Sequence, residues 1–335
     1  MATMSVRAKT GIWLAMSMAA ACAAVPPSAA QGPLATETAD NALDERALHA
    51  GGNELRIEVV GMPRGARSDE LQRWAAEAAN ATLTAFGRFP LPNATVRVEQ
   101  IDSRDPSPVP WGQTLRRDDV SVLLYVRRNA GLEELREDWT AVHELSHLFH
   151  PFLGGQGRWL AEGLASYYQN VLRARAGLMT QAEAWKELDA GFGRGRRERS
   201  GERLDELSRR HRGTMRVYWA GAAFWLEADL TLRHQGSSLD AVLSKYSACC
   251  LRGTGQTQPE DFVDALDRAG GGGVFRGLFD RYAGSREFPA LDGAYRELGL
   301  QSGENGLVYS RKPEAERLRR DIMGAGSSSR EARAR

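Results

Sequence analysis

The stretch Ala141–Tyr168, AVHELSHLFHPFLGGQGRWLAEGLASYY, limits the fold more than any other part of the chain. Leu145, Leu148 and Phe149 recur at helical spacing around two histidines, and a second helical run begins at Trp159. Between them Gly154-Gly155-Gln156-Gly157 lets the chain reverse, which predicts two helices lying side by side. His143 and His147 are four residues apart, about 40° out of register on one helix face. Two imidazoles so placed can bind one Zn²⁺ per chain, each at roughly 2.0–2.1 Å. Glu144 lies beside the first histidine, where it can act as general base on a water.

A catalytic zinc takes three protein ligands and keeps one position open. His150 and Glu162 are the candidates for the third. A further histidine six residues after His147 would fall at 153, and that residue is Leu153. His150 abuts Pro151 and reads as a helix-end or core histidine. Glu162 is better placed, because the glycine-rich turn brings its helix back alongside the first. Ser166, one turn beyond, can orient a ligand by hydrogen bonding.

The rest of the chain supplies the frame. Glu54–Val60, Ala94–Ile101 and Asp119–Val126 alternate as strands, and Ser68–Phe86 carries apolar residues at helical spacing. The Pro-rich segment Asp105–Trp111 reads as a loop. From Asp138 onward the pattern is helical, over Trp139–Phe149, Trp159–Leu172, Gln181–Ala190, Met215–Arg233, Leu239–Tyr246, Pro259–Arg268 and Phe288–Leu298, with a joint at Gly270–Gly273. A sheet lobe over 54–137 followed by a helical lobe over 138–300 makes an α+β architecture. Residues 31–53 read as a loose lead-in, and 301–335 as a disordered tail, charged and then Gly/Ser-rich.

Arg7 and Lys9 precede an apolar run over Gly11–Val25, and Ser28-Ala29-Ala30 offers the small residues of a cleavage site. Residues 1–30 therefore read as a secretory signal cut near Gln31, and the location as secreted or periplasmic. Lipid anchoring through Cys22 is the less favoured variant. No later run has the roughly 18 apolar residues of a spanning helix, so no membrane insertion is expected after cleavage. With 44 Lys+Arg against 43 Asp+Glu there is no basic field for nucleic acid. The remaining cysteines, Cys249 and Cys250, are adjacent and cannot staple distant parts of a fold. They can form a vicinal disulfide, two thiols or an intermolecular bridge.

HELSH followed by WLAEGLASYY resembles the gluzincin zinc metallopeptidases, in which a glutamate on the next helix completes the metal site. By that match His143, His147 and Glu162 are the ligands and Glu144 the base. VYWAGAAFWLEADLTLRHQGSSLDAVL (Val217–Leu243) and LFDRYAGSREFPALDGAYRELGL (Leu278–Leu300) resemble the glycyl-aminopeptidase family. The likeness runs over Trp111–Leu300 and implies a thermolysin-like catalytic domain without the family's PDZ-type domain. It places Tyr218 where the family has a tyrosine that stabilises the oxyanion. Two positions depart from the pattern. Ala220 stands where the family has lysine, and Trp111–Tyr125 lacks the glutamate that grips a substrate's free amine. Glu133 reads as a solvated loop charge and does not replace it, so the choice between endo- and aminopeptidase action stays open. The resemblance implies a peptide or protein substrate, laid along an edge strand near Val120–Val126. The rival class is a non-catalytic peptide-binding module on the same fold, and a third option is a hydrolase of cell-wall peptide.

Overall fold

The computed structural model describes residues 44–303 and 306–324. The expected leader over 1–30 lies outside the described residues.

Leu55, Ile57 and Val59 alternate with more polar neighbours and are buried, so Asn53–Val60 (β2) is a strand with one face on the core. Asn93–Ile101 (β3) does the same through Ala94, Val96 and Val98. Val120–Arg127 (β5) buries Val120, Val122, Leu124 and Val126. These three strands run parallel in the order β2-β3-β5. Asp44–Ala50 (β1) pairs antiparallel with β2, and Trp111–Arg116 (β4) pairs antiparallel with β5, closing the order β1-β2-β3-β5-β4.

Two expectations change here. The segment around Val120–Val126 is not the edge strand, because β4 covers it and is itself the edge. The lead-in contains a strand, β1, which adds to the other side of the sheet.

Ala66–Phe86 (α1) connects β2 to β3. It buries Leu71, Trp74, Ala75, Ala78, Ala79 and Thr82, the i, i+3, i+4 stripe expected of a helix packed on a sheet. The Trp74 indole N–H donates to the carbonyl of Leu135 at 2.8 Å, in the short helix Leu132–Glu137 (α2). Glu133 lies on α2 and not in a loop. It is exposed and pairs with Arg136 at 2.8 Å, so it stays a solvent-facing charge.

The helical lobe is built around Thr140–Ser146 (α3), Arg158–Ala176 (α4) and Thr214–His234 (α7), with Gln181–Arg197 (α5) and Leu204–Arg209 (α6) between the last two. Both α4 and α7 are buried nearly all round, the mark of core helices. Their crossing is set by Gly163 and Gly221. A Cβ on either glycine would overlap the other helix's backbone, and on Gly221 it would strike the carbonyl of Trp159. The backbones therefore meet directly, with no side chain between them.

Leu239–Cys249 (α8), Pro259–Leu266 (α9), Val274–Ala283 (α10) and Asp292–Leu298 (α11) pack around this pair. A π-turn at Asp267–Gly271, with Gly270, Gly272 and Gly273 at positive φ, joins α9 to α10. Cys249 and Cys250 are bonded to each other, one of the three states the sequence allowed.

Within the expected disordered tail, residues 301–303 and 306–324 carry regular structure. Leu300–Gly303 (β6) and Gly306–Tyr309 (β7) form a hairpin, and Pro313–Met323 (α12) follows. Ala315, Ile322 and Met323 form a short apolar stripe at helical spacing that the high charge content masks, and Arg319 is buried on the same face. Arg319 donates to the carbonyls of Leu298 and Ser310, the latter at 2.8 Å. Among the described residues no helix is long and apolar enough to cross a membrane.

Replacing Gly221 by alanine forces a methyl group into the α4–α7 contact. Overpacking of this kind costs about 1–3 kcal/mol, so Gly221→Ala should lower the denaturation midpoint at unchanged m-value.

Candidate metal centre

Asp138 accepts the backbone N–H of Thr140 at 2.7 Å and fixes the start of α3. The helix then carries His143 and Glu144 into the interior, where they are 3% and 8% exposed. It tightens into a 3₁₀ turn at His147–Phe149 and ends, because His150 precedes Pro151 and takes extended backbone. Breaking a helix in the interior leaves carbonyls without partners. Arg116, at the end of β4, supplies them: its guanidinium donates to the carbonyls of His147 at 2.8 Å, His150 at 2.5 Å and Gly253 at 2.7 Å. Burial brings Arg116 down to about 10, which still leaves it charged at neutral pH.

After the turn, with Gly154 at φ 62, α4 returns alongside α3 and presents Glu162. Glu162 Oε2 lies 3.3 Å from His143 Nε2 and 3.6 Å from His147 Nε2. The ligand atoms of His143, Glu144 and His147 also fall within 4.8 Å of one another, so two carboxylates face the histidine pair. They differ in their partners. Glu162 meets both Nε2 atoms through one oxygen. Glu144 Oε2 instead accepts the Thr114 hydroxyl at 3.1 Å, and Gly112 leaves it room, since a Cβ there would come within 2.7 Å of Glu144 Cγ.

Their electrostatics diverge accordingly. Burial and the neighbouring Glu162 charge push Glu144 up to about 7 against the opposing pull of His143 and Thr114. Burial would also raise Glu162, but the His143 hydrogen bond and the His147, His143 and Arg158 charges hold it down to about 2. Burial brings His147 down to about 4. Burial disfavours charge on His143 too, yet the hydrogen bond and charge of Glu162, with the Glu144 charge, hold it above its ordinary value.

Hydrogen bonds set the tautomers. The Pro151 carbonyl can only accept, so His150 Nδ1–H donates to it at 2.6 Å. Burial holds His150 neutral, which leaves its Nε2 as an acceptor for His147 Nδ1–H at 2.9 Å. The free lone pair of His147 is then on Nε2, facing Glu162. On the other ring, His143 Nδ1 donates to Gln169 Oε1 at 2.7 Å, so Nε2, which meets Glu162 Oε2 at 3.3 Å, is the nitrogen that would face a cation once its shared proton is displaced. His150 is thus buried behind His147 and not beside the Nε2 atoms. Gln169, rather than the expected Ser166, orients His143. Two nitrogens and one carboxylate oxygen so presented form a donor set that suits a divalent ion such as zinc.

Tyr218, on α7, completes the cluster. Its ring stacks on His143 with centroids 6.0 Å apart and planes 7° apart. The Arg158 guanidinium carbon lies 5.2 Å from the Tyr218 centroid on the same wall. Burial, then the charge of Glu162, raises the Tyr218 phenol well above its ordinary value and keeps it a donor. The crossing at Gly163 and Gly221 is what brings α7's tyrosine within reach of α4's glutamate. A separate hollow of about 420 Å³ lies against α7, α10 and α11, lined in part by Glu227, His234, Arg281 and Glu297, and shares no residue with this cluster.

Residues 153–221 match the M61 glycyl aminopeptidase family, a span from the turn before α4 to the crossing glycine of α7. No curated protein matches the chain by sequence. The chain is similar in structure to an aminopeptidase N family protein from Idiomarina loihiensis, with a TM-score of 0.56 and 15% identity over 78% of this chain and 50% of that one. An M1 zinc metallopeptidase from Deinococcus radiodurans superposes with a TM-score of 0.47 and 17% identity over 74% of this chain and 53% of that one. The chain thus spans about half the length of either protein. The first likeness establishes the fold: the α+β arrangement of sheet lobe and helical lobe expected from the strand and helix patterns is the one found.

The hydrogen-bond relay makes its own prediction. Removing a group that orients a metal-binding histidine typically costs about 10–100-fold in affinity. Zinc competition against a chromogenic chelator should show losses of that order for His150→Ala and for Gln169→Ala.

Proposed function

We propose that the chain is an exported zinc metallopeptidase that hydrolyses peptide bonds. The meeting of His143 Nε2 and His147 Nε2 on Glu162 Oε2, at 3.3 and 3.6 Å, carries the reading. These three side chains would hold one ion per chain. Zinc bound there supplies Lewis acidity, polarising a carbonyl and bringing the pKa of water toward neutrality.

The chain's own groups divide the remaining work. An extended peptide adds to the free edge of β4, where main-chain hydrogen bonds align it beside α3. Glu144 stands next to that strand, held by the Thr114 hydroxyl, and takes the proton of the attacking water before passing it to the departing nitrogen. Tyr218 donates its phenolic hydrogen bond to the oxygen on which negative charge develops. His150 and Gln169 engage the two Nδ1 atoms, so that each imidazole turns its Nε2 to Glu162. Gly112 and Thr114 are the β4 residues turned to Glu144, and neither is a carboxylate. Export rests on Arg7, Lys9, the apolar run Gly11–Val25 and the small residues Ser28-Ala29-Ala30.

Glu144→Gln should keep its zinc by metal analysis and lose cleavage of a mixed peptide library by at least about 10²-fold, the lower end for a general base. Tyr218→Phe should lose about 10²–10³ in kcat with little change in KM, the cost of one oxyanion donor. Glu162→Ala should lose both metal and activity. Bound zinc with no cleavage by the wild type would instead favour a binding module. Intact-mass measurement of the exported protein should place its first residue near Gln31.

A further inference from the structure

We propose that Arg158 makes this cleft selective for peptides that carry a carboxylate next to the scissile bond. The inference rests on the peptidase reading and specifies which substrates it takes.

Arg158 is the first residue of α4, one turn ahead of Glu162 and on the same face. Its Nε lies 4.0 Å from Glu162 Oε1, and its guanidinium lies over the Tyr218 ring, itself stacked on His143. The cation is therefore in the wall of the metal centre and only 16% exposed.

Its donors are not all used. Nη1 of Arg158 is buried without a hydrogen-bond partner, the one terminal guanidinium nitrogen in that condition among the described residues. Other buried arginines are tied down. Arg116 serves three carbonyls. Arg175 holds the Ile322 carbonyl at 2.7 Å and Asp240 at 2.9 Å. Arg216 bonds the carbonyls of Glu202 at 3.0 Å and Ser285 at 2.8 Å. An unused buried N–H is costly unless a ligand completes it.

The nearest carboxylate does not complete it. Glu162 directs Oε2 to the two histidines, and its contact with Arg158 is long beside the 2.7–2.9 Å typical of a charge-assisted hydrogen bond. Across the cleft, β4 offers no carboxylate that would hold an ammonium group. Arg158 is thus the group on this wall with a guanidinium donor left over for an anion, beside a Glu162 carboxylate already committed to the histidines. A planar guanidinium accepts a carboxylate in fork geometry, with directional preference as well as charge attraction. That carboxylate can be an acidic side chain flanking the bond or the free C-terminus of a short peptide.

Binding to zinc-loaded Glu144→Gln protein separates these sources without turnover. Fluorescein-labelled peptides of one backbone would carry Glu or Gln beside the central bond, each with a free or an amidated C-terminus, and fluorescence anisotropy would give Kd. The proposal expects a preference of about tenfold or more for one carboxylate-bearing form. That preference should vanish in Glu144→Gln/Arg158→Gln and partly return in Glu144→Gln/Arg158→Lys, with zinc content unchanged. Equal affinity for all four peptides would overturn it, as would an Arg158→Gln change that weakens all peptides alike or removes zinc. Failure of every peptide to bind the zinc-loaded protein would remove the peptidase reading and this inference together, whereas binding without preference removes only the role of Arg158.

Discussion

The backbone contact between α4 and α7 is the constraint on which the site depends. Helices normally pack at 8–10 Å with side chains interleaved. Here Gly163 and Gly221 remove the side chains at the crossing, and Trp159's carbonyl sits where a methyl group would be. One residue before Gly163 is Glu162, and three residues before Gly221 is Tyr218. Glu162 and Tyr218, distant in sequence, become neighbours in space because the helices are allowed to touch. The indole of Trp225 also donates to the Leu160 carbonyl at 2.8 Å, adding a directional bond that fixes the crossing.

A second constraint is the interrupted helix that holds the histidines. An α-helix stopped at Ser146 and finished by a 3₁₀ turn would leave bare carbonyls in an apolar interior, at a cost of a few kcal/mol. Arg116 reaches in from β4 and covers them. A single side chain therefore ties the edge strand, the end of the histidine helix and the loop after Cys250 together. Its position also explains why β4 lies against Glu144, since the same strand presents Gly112 and Thr114 to it.

What was legible in the sequence follows from how burial imprints a period. β2, β3 and β5 are core strands, and α1 has one buried face, so their alternation and stripe were readable. β1 (DERALHA) and β4 (WGQTLR) are edge strands, where charged and polar residues discourage pairing with other chains and the apolar alternation fades. α12 escaped for a different reason: its composition suggested a solvated tail, although Ala315, Arg319, Ile322 and Met323 carry the period. His143, Glu144, His147 and Glu162 were legible as a local pattern. The groups that orient them were less so. Gln169 lies seven residues after Glu162 and Arg158 four before it, both helical repeats that could have been read. Thr114 and Arg116 come from a different lobe, and no local spacing points to them.

The docking of α12 has a consequence for where the folded unit stops. Arg175 ends the helix that begins with Arg158 and carries Glu162, and its Nε donates to the carbonyl of Ile322. Trimming the chain at Leu300 would take the Ile322 acceptor from that guanidinium, leaving it Asp240 alone, and uncover the apolar seat of Ile322 and Met323. The loosened element would be the same rod that positions the metal-facing carboxylate at its other end. α12 is in that sense a splint for the centre, acting through the length of α4 without approaching it.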